Sequence, residues 1–495
     1  MSRVATAQKL QMAGEIQKAI EIYYELLNEN FDDPEVLFGL GTAFMQNGLN
    51  GLGAQLISSC MGKGNGPRSD MQVALNLGAC YFREFKFDEA REAWALYGKI
   101  AHEKGDKMAM GEALFNTAST YILSGEYQEG LAYYDKACEL IPDHKEMLFN
   151  KGQALLGIGK WKEGWALYDH ALALGNRRAR GYVGVPEWNG EAGRTVVVYG
   201  EQGIGDEIMF ASMVPDLKAR CARVIFDCHP RLVETFERSF GITCYGTRKE
   251  PAAPWLEHDM PDYAIAVGSL GRFFRNSAEQ FPGTPYLRSR SLKENVATLR
   301  NGSDMDRVGA AKSIFETGWP VNKFKVGLSW AGGTKVTGRH YRSMPIDAFE
   351  PLIRAHPEIE FYSLQYGPES AAEVDNFEMR TGLHIRHYPE MVDNVDYGKT
   401  IDFVAGLDLV ITVCQSVLHV AGALGVPCWV MVPYESMWRE TGNVQTGRSE
   451  KMPWYNSVKL YHRETPHAEI EGWAPVLNRI YDDLENLLNR KQAAE

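Results

Sequence analysis

The stretch GEQGIGDE, residues 200–207, sets Gly200, Gly203 and Gly205 among acidic side chains in a turn that follows the hydrophobic run Thr195 to Tyr199. Glycines let a chain turn tightly and bring its backbone close to a ligand. The turn falls where a strand opens into a helix, a position that suits phosphate. Three chemistries are open to it: phosphate binding, proton abstraction by a carboxylate, or simple closure of the turn. The spacing is not GxGxxG, and no acidic residue clearly ends a second strand about 20 residues on, so the turn does not point to a dinucleotide. A second stretch, SWAGGTKVTGRHYRS (329–343), carries Lys335, Arg339, His340 and Arg342 in a glycine-bearing loop after a strand. Such cations can clamp a diphosphate and neutralise charge on a leaving group, or form a solvated basic loop. A third, CQSVLHVAGALG (414–425), follows a buried strand and begins a helix, where Ser416 or a nearby N–H can meet phosphate. His419, alone on an apolar helix, reads by itself as a packing residue.

The elements that must position these groups begin near Pro186. From there short β-branched or aromatic runs alternate with helical stretches: TVVVY (195–199), RVIFDC (223–228), YAIAVGS (263–269), KVGLSW (325–330), EFYSLQ (360–365), LDLVITV (407–413) and CWVMVP (428–433). That alternation predicts parallel sheets covered by helices. The polar stretch from Arg288 to Asn322 reads as a seam between two such units, which then face each other across a cleft. Ligands bind at the carboxyl ends of strands in such sheets. The DMD triplet at 304–306 lies in the seam and reads as a solvated turn, so no metal site is expected.

The first third has a different texture. Ala118, Tyr121, Gly130, Tyr134 and Ala137 recur 34 residues later as Gly152, Leu155, Gly164, Tyr168 and Ala171. The same pattern occurs earlier at Gly78, Tyr81, Ala90, Trp94 and Tyr97, and at Gly41, Phe44, Gly53, Ile57 and Cys60, with a degenerate copy at Ala19, Tyr23 and Leu26. This resembles the tetratricopeptide repeat, a helix pair with that period. Small residues let paired helices approach and the aromatic fills the gap. Five pairs over roughly residues 1 to 175 predict a superhelix with a concave groove, and Pro34 and Pro142 are expected to end second helices.

The later segments resemble family 9 glycosyltransferases, the heptosyltransferase-like proteins, in the variety with N-terminal tetratricopeptide repeats. The resemblance rests on PEWNGEAGRTVVVYGEQGIGDEIMFASMVPDL (186–217), VGLSWAGGTKVTGRHYRSMPIDAFEPL (326–352), FYSLQYG (361–367), LDLVITVCQSVLHVAGALGVPCWVMVP (407–433) and MPWYNSVKLYHRE (452–464). It implies an α plus α/β chain: a tetratricopeptide-repeat superhelix followed by two Rossmann-like domains facing a cleft, of GT-B type. The expected boundaries are 1–182 for the array, 183–318 for the acceptor-side domain, 319–462 for the nucleotide-sugar domain and 463–495 for a C-terminal helical segment. It implies sugar transfer from a nucleotide-diphosphate donor to an acceptor hydroxyl, inverting and metal-independent, with no cofactor. Asp206 maps to the general base, although Asp at that position also caps helices. Gly203, Gly205 and Glu207 form the acceptor-side loop; Glu207 and Glu201 are spare carboxylates, solvated or structural. Arg342 matches the family's basic residue, Arg339 and Lys335 join it on the donor side with Ser416, and His419 matches a histidine expected to contact the nucleotide sugar. The sequence departs from the family at Cys414, where many members have Asp.

Bulk properties bound these expectations. A chain of 495 residues is long enough for two to four cores. The formal charge of -12 disfavours nucleic acid as partner, and with it a transferase acting on DNA. A local basic site at Arg177, Arg178 and Arg180 stays open. No apolar run nears the ~18 residues that span a bilayer, and the N-terminus lacks the apolar core of a signal peptide, so a cytoplasmic protein is expected. Eight scattered cysteines fit buried thiols better than disulfides or zinc ligands. The acceptor expected is a protein or glycan held near the array, which is also compatible with a homo-oligomer. The rival reading is a repeat scaffold whose transferase half has lost catalysis.

Overall fold

The computed structural model describes residues 2–63, 69–290, 323–333, 339–392, 396–440, 448–466 and 470–492. Lys335, the DMD triplet and the expected boundary at 318 lie outside them, as do the side chains of His340 and Tyr341. The chain divides into two compact units, Met1–Leu155 and Leu156–Glu495.

The first unit is a run of helix pairs: Arg3–Met12 with Ile16–Glu29, Pro34–Gln46 with Asn50–Ser58, Asp70–Arg83 with Phe87–Glu103, and Lys107–Leu123 with Tyr127–Leu140. The small positions of the repeat are where helices touch. A Cβ added at Gly78 would lie 2.3 Å from the Trp94 indole nitrogen, and one at Gly41 2.7 Å from Ile57 Cγ1. Ala90, Ala118 and Ala137 are fully buried for the same reason. The pairs turn on a left-handed residue two positions past the first helix: Gly14, Gly48 and Gly125 do so freely, whereas Phe85 holds a φ of 58° without that freedom. Pro142 follows the helix that ends at Leu140, as expected. Pro34 instead opens a helix, because its missing N–H costs nothing in a first turn.

The second unit begins inside the helix Lys145–Gly157 and takes in Trp161–Tyr168, the second helix of the fifth pair. Trp165 on that helix lies against Gly271 and donates to the Arg275 carbonyl at 2.7 Å. Its partners are therefore in the α/β part. Two parallel sheets follow. In the first, β1 (Thr195–Tyr199) is flanked by β2 (Arg223–Asp227) and β4 (Tyr263–Ala266), with β3 (Thr243–Tyr245) outside β2. In the second, β5 (Lys325–Ser329) lies between β6 (Glu360–Ser363) and β8 (Leu409–Val413), with β7 (Arg386–His387) outside β6 and β9 (Cys428–Val432) outside β8. Beyond β9 the chain adds β10 (Lys451–Met452) and β11 (Tyr455–His462), of which β11 runs parallel to β9 and β10 antiparallel to β11. The C-terminal helix Ile470–Gln492 is not a separate layer: Trp473, Val476, Ile480 and Leu484 share one core with Val326, Leu328, Leu409 and Ile411 of the second sheet.

In both sheets the chain winds outward from a central strand, first to one side and then to the other, which leaves a crevice at the strands' carboxyl ends. Among the described residues no helix is long and apolar enough to cross a membrane. All eight cysteines are free, seven of them buried.

Gly78→Ala is expected to destabilise the first unit by about 1–3 kcal/mol, the usual cost of overfilling a packed contact, read as a lower urea midpoint. Gly51→Ala in the same unit, whose nearest neighbour is Glu84 Oε2 at 3.8 Å, should change it by less than about 0.5 kcal/mol.

Candidate functional site

The acidic side chains of the glycine turn take three separate places. Glu201 is buried, and its Oε1 accepts from Arg177 Nε at 3.0 Å and from the Gly268 N–H at 3.2 Å. Glu207 is 1% exposed; it accepts the His229 N–H at 2.6 Å and pairs with Arg248 Nε at 3.1 Å. Burial pushes the Glu207 carboxyl up to about 8, against the pull of Arg248 and that N–H. A Cβ at Gly200 would sit 2.0 Å from Glu207 Oε2, so this buried pair requires glycine there. Arg248 also donates to the Gln202 carbonyl at 2.9 Å. Both carboxylates are thus structural braces of the turn. Asp206 alone keeps partial access, with 21% of its side chain exposed. It accepts the Gly203 N–H at 3.3 Å and ion-pairs with Arg439.

Across the crevice, the loop after β5 is pinned by Gln365, whose Oε1 accepts from Ser329 Oγ, the Trp330 N–H and the Ala331 N–H at 2.9–3.1 Å. Gly332 approaches the end of β8 so closely that a Cβ would lie 2.9 Å from Gln415 Cβ. The helix Ser416–Leu424 starts there, and Ser416 Oγ accepts from the Tyr397 hydroxyl at 2.9 Å. Gly205 brings the two sides into contact: its added Cβ would lie 2.9 Å from His419 Cδ2 and 3.1 Å from Ser416 Cα. The N-terminal ends of the helices Ile204–Phe210 and Ser416–Leu424 therefore touch. A cavity of about 260 Å³ beside this contact is lined by Ile204, Arg231, Tyr366, Tyr397, Ser416 and Val417, among others.

Gly203, Gly205, Asp206, Ser416 and His419 are thus brought together. His419 does not line the cavity: it is 6% exposed, its Nδ1 is 3.2 Å from the Tyr455 hydroxyl, and that oxygen is 3.3 Å from the Tyr286 hydroxyl, which donates to the Ile208 carbonyl at 2.7 Å. Burial lowers His419 to about 3, so the ring is neutral. Arg342 reaches the Met437 sulfur at 3.5 Å, and Arg339 is exposed. Cys414 is buried at the end of β8, where burial raises its thiol well above the ordinary value. The triplet Arg177, Arg178 and Arg180 is not an open basic patch, because Arg177 is 1% exposed between Asp169 and Glu201 and Arg180 pairs with buried Asp227 at 3.1 Å. Among the described residues no group of three or more His, Cys, Asp or Glu is placed to hold a metal ion.

Sequence reasoning missed Arg439, Gln365 and Arg231. Gln365 stands in the family-like FYSLQYG, which is a signal. Arg439 has none: it meets Asp206 from 233 positions away.

Residues 111–144 match the tetratricopeptide repeat model, and this part of the chain is a repeat of that kind. The chain is 29% identical over 309 residues to Protein FlbA of Caulobacter vibrioides (strain ATCC 19089 / CIP 103742 / CB 15); the match covers 59% of this chain and 47% of that protein, so the chain spans about half the length of the curated relative it matches. Similar solved structures include the MamA protein (18% identity, 34% of this chain, 85% of that chain, TM-score 0.26). They also include YrrB, described as a tetratricopeptide protein with an unusual peptide-binding site (15%, 35% and 84%, TM-score 0.28). A third is a thermophilic tetratricopeptide protein, TTC0263 of Thermus thermophilus (19%, 34% and 89%, TM-score 0.29).

Burial lowers His229 and His462 to about 4, as it lowers His419 further. These rings are neutral in the folded protein, whereas the unfolded chain protonates them below their ordinary 6.5. The stability they carry is present above that pH and is lost as pH falls toward the folded values. In His419→Gln the fall of stability between about pH 6 and 4 should be shallower by roughly 1.4 kcal/mol per pH unit. An unchanged slope in urea titrations would mean that the ring titrates in the open.

Proposed function

We propose that the chain is a glycosyltransferase that moves a sugar from a nucleotide-diphosphate donor to an acceptor hydroxyl with inversion, in a GT-B-like arrangement of its two sheets. The observation that carries this reading is Asp206, a carboxylate with partial access at the contact between two helix N-termini, facing arginines from the second sheet's side. Inverting transfer needs a base on one side of the anomeric carbon and charge stabilisation on the other. Asp206 takes the acceptor's hydroxyl proton, the acceptor oxygen bonds to the anomeric carbon, and the diphosphate leaves with the bonding electron pair. Arg342 meets that charge, with Arg339, Lys335 and the N-terminal turn at Ser416 as further donor-side groups. His419 orients the helix it stands on through Tyr455 and Gly205.

The repeats suggest a binding role, and we assign to them the acceptor, a protein or glycan. A second reading follows from the same repeat match: a scaffold that binds partners and catalyses nothing, to which buried Cys414 in place of the family's Asp lends support.

A thermal-shift screen against ADP, UDP, GDP, CDP and dTDP separates the two, because a ligand of the native state raises its stability. The transferase reading expects one diphosphate to stabilise the protein and Arg342→Ala to abolish the effect. Asp206→Asn should lower transfer by about 10²–10⁴-fold, the usual share of a general base, while nucleotide still binds. Normal turnover in that variant removes Asp206 from the mechanism, and no shift with any nucleotide favours the scaffold.

A further inference from the structure

The segment after β9 holds an arrangement that sugar transfer alone does not call for. Arg439 pairs with Asp206 through Nη2 and directs Nη1 to the Met437 sulfur at 2.9 Å. Arg342, from the short helix Arg339–Arg342, brings its own Nη2 to the same sulfur at 3.5 Å. Two guanidiniums therefore converge on one neutral thioether, which is a weak acceptor. Their nitrogens can be no further apart than those two distances end to end, well inside the Debye length of about 8 Å. Arg439 is 11% exposed, and its Nε is buried with no hydrogen-bond partner. The nearby Glu440 carboxylate accepts the Met437 N–H at 3.0 Å, and both arginines pull its carboxyl down against burial, as Arg342 does that of Glu435. Among the described residues, Asp206 is the one carboxylate that ion-pairs with either arginine.

We propose that Arg342 and Arg439 form a two-arginine site for a diphosphate group, and that a diphosphate seated there draws Arg439 away from Asp206. The guanidinium fork matches phosphate oxygens two at a time, which a thioether cannot do. In this structure Asp206 is the anion that Arg439 holds. A diphosphate offers more charge and more oxygens, and it engages both arginines at once, so it wins the exchange. The consequence rests on the transferase reading: Asp206 is released to accept a hydroxyl proton only after the donor's diphosphate is in place. Donor binding then precedes acceptor activation by construction.

The test is calorimetric titration of the full chain with inorganic pyrophosphate at fixed salt. Wild type should bind, and Arg342→Ala and Arg439→Ala should each weaken binding at least tenfold. Asp206→Asn should tighten it several-fold, since the competing charge is removed while the side chain keeps its size; misfolding cannot produce a gain. No binding to wild type, or an Asp206→Asn affinity that is unchanged or weaker, would overturn the exchange. Nucleoside diphosphate binding that ignores Arg439 would also overturn it while leaving the donor reading standing. Pyrophosphate binding with the expected pattern, but none of any nucleoside diphosphate, would keep the anion site and remove the sugar donor.

Discussion

The helix that starts at Ile204 meets the helix that starts at Ser416 through a position with no side chain. A single methyl at Gly205 would press into His419 Cδ2 and the Ser416 backbone, and neither can swing away, because His419 is buried and held by Tyr455. Every group of the candidate site depends on that contact. It sets Asp206 near the ends of two helices, where their unpaired N–H groups favour negative charge. It also brings Asp206 within reach of Arg439, which belongs to the segment after β9. A larger residue at 205 meets His419 and the Ser416 backbone, so one of the two helices has to shift.

Around that contact the protein uses buried charge as scaffolding. Arg177 with Glu201 and Arg248 with Glu207 hold the glycine turn from two sides, each with further hydrogen bonds to backbone or hydroxyl. Buried pairs of this kind add little net stability, yet losing one partner leaves an uncompensated charge that costs about 3–5 kcal/mol. Their effect here is geometric: the turn has one conformation, and Asp206 is the carboxylate left accessible. The first unit is built on a different economy. Its contacts are local, small residue against large, as with Gly78 against Trp94, Gly41 against Ile57 and Gly130 against Ile122.

Much of this was legible in the sequence. The 34-residue recurrence exposed the repeats because close packing demands small residues at fixed positions, and those positions are buried against neighbouring helices. Seven of the strands were visible as short β-branched runs. The strands that escaped were β3, β7, β10 and β11, which are either two or three residues long or, for β11, studded with polar side chains such as Asn456 and Lys459. His419 read as a packing residue by its apolar surroundings and as a ligand by resemblance, and its burial agrees with the first.

What the sequence determined by itself was local: which segments repeat, which are strands, and which turns carry glycine and charge, because these follow from the periodicity of neighbouring side chains. Tertiary structure decided which of three acidic residues in one turn stays accessible, that Glu207 turns inward to Arg248, and that Asp206 finds Arg439. Those outcomes are set by burial and by ion pairs between residues tens to hundreds of positions apart, and no local pattern encodes a partner at such a distance.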